Sequence, residues 1–128
     1  MTDVTRSDRP LSPHLTIWRP RLNFVTSFAH RATGCALGLP LVLIIWWFHG
    51  AASSPERFGF VDGLLTSWFG GLVLLGLVAC FWYHFFNGIR HLIWDTGHGL
   101  EMETADKLGW AAIAAAALMT VITFFVAW

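Results

Sequence analysis

The chain has 128 residues, of which 55% are hydrophobic and only 12% are charged. Soluble domains carry about 25% charged residues, so this sequence lacks the side chains that normally form a hydrated surface. Its eight Lys and Arg residues balance its eight Asp and Glu residues, and it has only two cysteines. This composition excludes a disordered chain, a nucleic-acid-binding protein and a disulfide-stabilised scaffold. It predicts a membrane protein with a single domain.

Three long stretches of the sequence contain no Lys, Arg, Asp or Glu. The first lies between Arg31 and Glu56, the second between Asp62 and Arg90, and the third follows Lys107. Because about 20 apolar residues in a helix cross the hydrocarbon core of a bilayer, each stretch is long enough to span it. We therefore predict an all-α fold with a cytoplasmic segment at residues 1–23 and a transmembrane domain at 24–128. Its three helices are expected near residues 24–48, 62–92 and 107–128.

Lys and Arg in the flanks of the spans predict the orientation, because cytoplasmic loops are enriched in these residues. Seven of them belong to the N-terminal segment, the entrance of the first helix or the second loop: Arg6, Arg9, Arg19, Arg21, Arg31, Arg90 and Lys107. The first loop has only Arg57. We expect a cytoplasmic N-terminus and a periplasmic C-terminus in a bacterial inner membrane. The first ten residues contain two Asp and no apolar run, so they resemble neither a signal peptide nor a transit peptide.

The first predicted helix presents a stripe of polar and small residues. At helical spacing, Ser27, Arg31, Gly34 and Gly38 lie within about 40° of one another, and His30 lies beside them. The two glycines form a small-x-x-x-small pair, which allows a neighbouring helix or a flat ring to approach closely. A contact between helices is enough to explain the glycines. A cation and a hydroxyl on the same face indicate instead a pocket for a ligand with oxygen acceptors.

The second predicted helix has its polar residues on one face. His84, Gly88, His91 and Asp95 follow one another at i, i+4, i+7 and i+11. Ionisable side chains inside a membrane are costly unless a partner satisfies them. A histidine in such a bundle ligates a metal, relays protons or bonds to another helix. Gly88, one turn after His84, leaves room for a flat ligand.

The two stripes are predicted to meet in the same half of the membrane. His84 lies six residues before Arg90, which is about 9 Å along a helix axis. Ser27, His30 and Arg31 lie at the matching depth of the first helix. An imidazole between apolar walls and near a cation suits a non-covalent b-type haem. Hydrogen-bond donors near the membrane surface also suit a quinone.

Three segments of the sequence resemble a known family. They are RPLSPHLTIWRPRL at 9–22, SFAHRATG at 27–34 and HFFNGIRHLIWDTGHGL at 84–100. They are similar to the cytochrome b subunits of succinate dehydrogenase, membrane anchors of respiratory complex II. The resemblance implies a three-helix anchor that assembles with a second small anchor subunit, an iron–sulfur subunit and a flavoprotein subunit. The chain alone would then lack the site that oxidises succinate.

The resemblance also implies roles for individual residues. His84 corresponds to the family's axial ligand of the iron in haem b, whose second axial histidine comes from the other anchor subunit. His30 and Arg31 correspond to positions near the haem propionates. Ser27 and Arg31 correspond to positions that line the ubiquinone site. Electrons from succinate would then pass to ubiquinone at the membrane surface.

The residues alone leave two other functions open. A self-contained b-type cytochrome would use His84 and His30 as its two axial ligands. A transport or structural membrane protein without haem would use the histidines to relay protons or to join helices. His91 and Asp95 match polar positions of the family near the cytoplasmic end, and the resemblance leaves their roles open.

Overall fold

A computed structural model gives the structure of residues 18–127. Within that range the chain forms five helices and no β-strand. They are α1 (Leu22–Ala36), α2 (Gly38–Ser53), α3 (Pro55–Leu65), α4 (Trp68–Asp95) and α5 (Met102–Ala127). Most of the predicted cytoplasmic segment lies outside the described residues, together with Arg6, Arg9, the first nine residues of the 9–22 motif and Trp128.

Three helical segments are long and apolar enough to cross a membrane, and they confirm the predicted all-α fold. They are Leu22–Ser53, Trp68–Asp95 and Met102–Ala127. Most of their large apolar side chains face outward rather than into a protein core. Such side chains suit contact with membrane lipid, which is as apolar as they are. The chain is therefore a multi-pass membrane protein.

The first spanning segment is interrupted between α1 and α2. The N–H of Leu37 still donates to the carbonyl of Thr33 at 3.0 Å, and α2 begins at the next residue. Pro40 lacks an N–H and so cannot donate to the carbonyl of Ala36, which favours a break at this point. The segment has 32 residues, and a straight helix of that length would measure about 48 Å. It is therefore longer than the hydrocarbon core, which is about 30 Å thick.

The structure divides the predicted second helix between two helices, α3 and α4. The charge-free stretch predicts one helix near 62–92, whereas α3 ends at Leu65 and α4 begins at Trp68. Ser67 explains the difference, because it caps α4 in the same way as Ser54 caps α3. The hydroxyls of Ser54 and Ser67 accept hydrogen bonds from the N–H groups three residues later, at 3.3 and 3.1 Å. A window free of charges does not reveal such a boundary.

Helix α3 folds back along α2 as an antiparallel hairpin. The indole of Trp47 donates a hydrogen bond to the carboxylate of Asp62 at 3.0 Å. Trp46 packs edge-on against Phe60, with ring centroids 6.4 Å apart. Val61 is buried against α2. This hairpin lies at the beginning of α4 and thus at the opposite end from the histidines of α4.

Helices α4 and α5 form the best-packed pair, and α1 packs against both. The buried face of α5 consists of small residues at i, i+4, i+7 and i+11: Ala105, Gly109, Ala112 and Ala116. Small side chains allow two helices to approach closely in a membrane. The indole of Trp82 also donates to the hydroxyl of Thr123 at 2.9 Å. Helices α1, α4 and α5 therefore form the bundle that carries the polar residues.

Candidate functional site

Three histidines from two helices meet at one end of the bundle. The rings of His30 in α1 and His84 in α4 are stacked, with centroids 3.9 Å apart and planes inclined by 9°. His91, two turns after His84, has its ring centroid 5.1 Å from that of His30. All three side chains are partly exposed. The arrangement brings together the polar stripes that were identified on the two helices.

Gly34 provides the space in which the ring of His84 lies. A Cβ at Gly34 would be 2.8 Å from Cε1 of His84 and 3.3 Å from its Nδ1. A Cβ at Gly88, across the same interface, would be 3.9 Å from Cε1 of His30. Gly38 has no such neighbour within 4 Å. Of the small-x-x-x-small pair, only Gly34 therefore accommodates a flat ring.

The nitrogen atoms of the stacked pair have different surroundings. Nδ1 of His84 lies 3.0 Å from the carbonyl oxygen of His30 and 3.5 Å from the hydroxyl oxygen of Thr33. The Thr33 hydroxyl is close to two carbonyls of its own helix, those of Ala29 at 2.8 Å and His30 at 3.0 Å. Nδ1 of His30 is buried and has no hydrogen-bond partner among residues 18–127. The site thus contains one anchored imidazole and one buried nitrogen without a partner.

The other predicted site residues lie at the same end of the bundle. Ser27 is half-buried and Arg31 is exposed on α1, one turn apart. Within the described part of the chain, neither side chain has a hydrogen-bond partner. Asp95 is exposed and is the last residue of α4. Ser27 and Arg31 are therefore available to a ligand or to a partner subunit.

Arg90 is a correction to the sequence analysis, which counted it with the cations of the second loop. It lies inside α4, and only 2% of its surface is exposed. Its Nη1 donates to the hydroxyl of Thr26 at 2.8 Å and to the side-chain oxygen of Asn87 at 3.1 Å. Its Nη2 donates to the side-chain oxygen of Asn23. Arg90 therefore joins α4 to α1 within the bundle.

The surroundings of Arg90 are polar on one side and aromatic on the other. The hydroxyl of Tyr83 donates to the carbonyl of Thr26 at 2.9 Å. The guanidinium lies over the ring of Trp94, with Cζ 4.1 Å from the ring centroid. A Cβ at Gly109 of α5 would be 3.7 Å from the same Cζ. Residues of all three helices thus enclose this cation.

The sequence contains a signal for this cluster that was missed. Tyr83, Asn87 and Arg90 recur at i, i+4 and i+7 on α4, and Asn23 and Thr26 recur at i and i+3 on α1. Polar residues at helical spacing in two apolar spans indicate facing hydrogen-bonding surfaces. The cluster lies beside the histidines, since Arg90 directly precedes His91 and Thr26 lies one turn before His30.

The chain is similar to known proteins over nearly its whole length. The model of a family described as the succinate dehydrogenase/fumarate reductase transmembrane subunit matches residues 5–124. The succinate dehydrogenase cytochrome b556 subunit of Paracoccus denitrificans is 46% identical over 129 residues, with 98% of this chain and 99% of the relative covered. That of Rickettsia conorii is 31% identical, with 89% of each chain covered. The mitochondrial cytochrome b560 subunit of Sus scrofa is 40% identical, with 80% of this chain and 62% of the relative covered.

Proposed function

Because the chain belongs to the succinate dehydrogenase/fumarate reductase transmembrane-subunit family, we propose that it is the cytochrome b anchor of a succinate:ubiquinone oxidoreductase. It acts as an enzyme subunit: a flavoprotein subunit oxidises succinate, and electrons reach ubiquinone through an iron–sulfur subunit. This chain binds haem b together with a second small anchor subunit and contributes to the quinone site. The observation that carries the proposal is the meeting of His30 and His84 beside Gly34, close to Ser27 and Arg31.

The residues at this end of the bundle fit a haem. Gly88 leaves the backbone bare beside His30, where a flat group would approach, and Gly34 admits the ring of His84 to the surface of α1. Nδ1 of His84 is directed at a main-chain carbonyl, so its other ring nitrogen is available as an iron ligand. The unpartnered Nδ1 of His30 and the exposed guanidinium of Arg31 suit the propionates. When bound, haem b supplies a one-electron redox centre within the membrane.

A second axial ligand from another subunit is favoured over one from this chain. If His30 and His84 were to hold the same haem, their rings would have to be far enough apart for the group to lie between them. The rings of His30 and His84 are in face-to-face contact, with 3.9 Å between their centroids. This contact leaves no space for a macrocycle between them. It therefore supports the shared haem over the self-contained cytochrome.

The quinone site is assigned to Ser27 and Arg31, with contributions from neighbouring subunits. The Ser27 hydroxyl donates a hydrogen bond to a quinone carbonyl. The Arg31 guanidinium stabilises the negative charge that develops on this oxygen during reduction. Both side chains lie at the end of the bundle where a soluble electron donor can dock. His91 and Asp95 are retained as polar neighbours of this site.

The proposed orientation keeps the N-terminus in the cytoplasm and the C-terminus in the periplasm of a bacterial inner membrane. Removing the buried Arg90 from the seven cations on that side leaves six, against one in the first loop. The bias therefore still predicts the same orientation. The site then faces the cytoplasm, where the soluble subunits assemble, and the outward-facing apolar side chains contact membrane lipid.

The proposal is tested by purifying the tagged chain in mild detergent and identifying the proteins that accompany it by mass spectrometry. We expect a flavoprotein, an iron–sulfur protein and a second small membrane protein. A reduced-minus-oxidised spectrum of the same sample should show a low-spin b-type haem. A complex without haem would contradict the cytochrome role, and a haem spectrum from this chain alone would support the self-contained cytochrome.

A further inference from the structure

The ring of His84 occupies the space that a side chain at position 34 would fill. The three atoms nearest to a Cβ built on Gly34 all belong to this ring, and the closest is Cε1 at 2.8 Å. A real Cβ does not tolerate such a contact, so any other residue at this position would displace the ring. Gly34 therefore sets how deeply the imidazole enters the surface of α1.

At this depth the imidazole reaches the main chain of α1. Its Nδ1 lies 3.0 Å from the carbonyl oxygen of His30, and a carbonyl can only accept a hydrogen bond. The other neighbour of Nδ1 is the hydroxyl of Thr33, whose proton is directed at the carbonyls of its own helix. Two acceptors and no donor thus face Nδ1. This nitrogen must carry the proton, which leaves the lone pair on Nε2.

We propose that Gly34 and the main-chain carbonyl of His30 are positioning groups that hold His84 in the tautomer and ring orientation that iron ligation requires. The inference rests on the proposed function, because it assigns these groups a role toward the haem. A hydrogen bond from the far nitrogen of a metal-bound imidazole fixes its orientation and makes it a stronger electron donor. Gly34 acts only through His84. The carbonyl of His30 belongs to the main chain, so it accepts the hydrogen bond from His84 whatever the side chain at position 30 is.

The test compares Gly34→Ala with Gly38→Ala in the assembled complex. Both variants add one methyl group to the same spanning segment, but only the first would meet His84, since nothing lies within 4 Å of the added Cβ at Gly38. Loss of the hydrogen bond from Nδ1 of His84 to the carbonyl of His30 would make the imidazole a weaker electron donor to iron. A weaker electron donor would destabilise ferric iron. We expect a more positive midpoint potential, a changed low-spin electron paramagnetic resonance spectrum and about 10–100-fold weaker haem retention in Gly34→Ala. Gly38→Ala should match the unmodified complex.

The outcomes separate this inference from the proposed function. A complex without haem before any substitution contradicts the proposed function. A haem whose potential, spectrum and retention are the same in Gly34→Ala as in the unmodified complex overturns only the positioning role.

A second measurement decides the question if Gly34→Ala does not assemble. The unmodified complex is labelled with ¹⁵N in its histidine rings, reduced so that the low-spin haem is diamagnetic, and studied by nuclear magnetic resonance. We expect a protonated Nδ1 on His84, with slow exchange of its proton against solvent. An unprotonated Nδ1, or one that exchanges as fast as a solvent-exposed imidazole, overturns the proposal.

Discussion

The guanidinium of Arg90 donates a hydrogen bond of 2.8 Å to the hydroxyl of Thr26, which joins α4 to α1 next to Ser27. Both side chains are 2% exposed. Within residues 18–127 no carboxylate lies within ion-pair distance of this cation; neutral oxygens accept from its Nη1 and Nη2, and its Nε has no hydrogen-bond partner there. Removal of one acceptor leaves part of a buried charge uncompensated, which is strongly unfavourable.

Thr26→Val should therefore lower the free energy of unfolding in detergent micelles by about 1.5–3 kcal/mol, the range for a hydrogen bond to a charged group. Valine has nearly the shape of threonine but cannot accept a hydrogen bond. Thr120→Val is the matched control, because within residues 18–127 the hydroxyl of Thr120 bonds only to the carbonyl of Ala116 in its own helix, at 2.7 Å. Equal losses in the two variants would contradict a special role for the Arg90 contact.

Ser27→Ala and Arg31→Leu should separate quinone reduction from succinate oxidation. Ser27→Ala removes a neutral hydrogen bond of about 0.5–1.5 kcal/mol, and Arg31→Leu removes a charge-assisted one of about 1.5–3 kcal/mol. Succinate-dependent quinone reduction should fall in both, and more in Arg31→Leu. Electron transfer from succinate to a soluble dye that accepts before the quinone site should stay nearly unchanged.

Arg57→Leu is the control for the quinone experiment, because Arg57 is exposed in the hairpin at the other end of α4. Quinone reduction should remain normal in this variant. If both activities fell in parallel in Arg31→Leu while the complex assembled normally, Ser27 and Arg31 would not belong to a quinone site.

His84→Leu should abolish the low-spin spectrum of the assembled complex, because leucine cannot ligate iron. His98→Leu should leave the spectrum unchanged, since His98 is exposed beyond the end of α4 and lies 3.0 Å from the hydroxyl of Thr96. The measurement is the reduced-minus-oxidised spectrum of each purified variant. A normal spectrum in His84→Leu, together with its loss in His91→Leu, would move the ligand by seven residues.

Ala112→Leu should destabilise the bundle by about 1–3 kcal/mol, because the larger side chain overfills the closely packed surface between α5 and its neighbours. Ala112 is 7% exposed. Ala111→Leu makes the same change at the adjacent exposed position, where the side chain extends away from the bundle. Thermal unfolding of both variants in the same detergent checks the difference. An unfolding midpoint that is lower for Ala111→Leu than for Ala112→Leu would contradict this packing.

The sequence predicts the spans and the grouping of the site residues because both follow from local regularities. Charge-free stretches reveal the three spanning segments, and helical spacing places His84 and His91 on one face of α4. The depth of each residue in its span then predicts that His30 and His84 lie at the same level. The structure supplies the contact between them, which depends on the small size of Gly34.

Other features could not be predicted because they depend on a partner from another helix. Counting cations in the flanks places Arg90 in a loop, since the count ignores which acceptors the neighbouring helix offers. Those acceptors, Asn23 and Thr26, belong to α1, and the whole of α2 and α3 separates them from α4 in the sequence. The break before α4 was missed for a different reason: it depends on a single capping hydroxyl at Ser67.

The buried Arg90 has a consequence for the biogenesis of the protein. Its partners in α1 precede it by 64 and 67 residues, so ribosomal synthesis delivers the acceptors to the membrane before the cation arrives. Helix α4 can then leave the insertion machinery directly against α1, without first exposing an unpaired guanidinium to lipid. A gene rearranged so that α4 is translated first would reverse that order, and its product would depend on chaperones or be removed by membrane proteases.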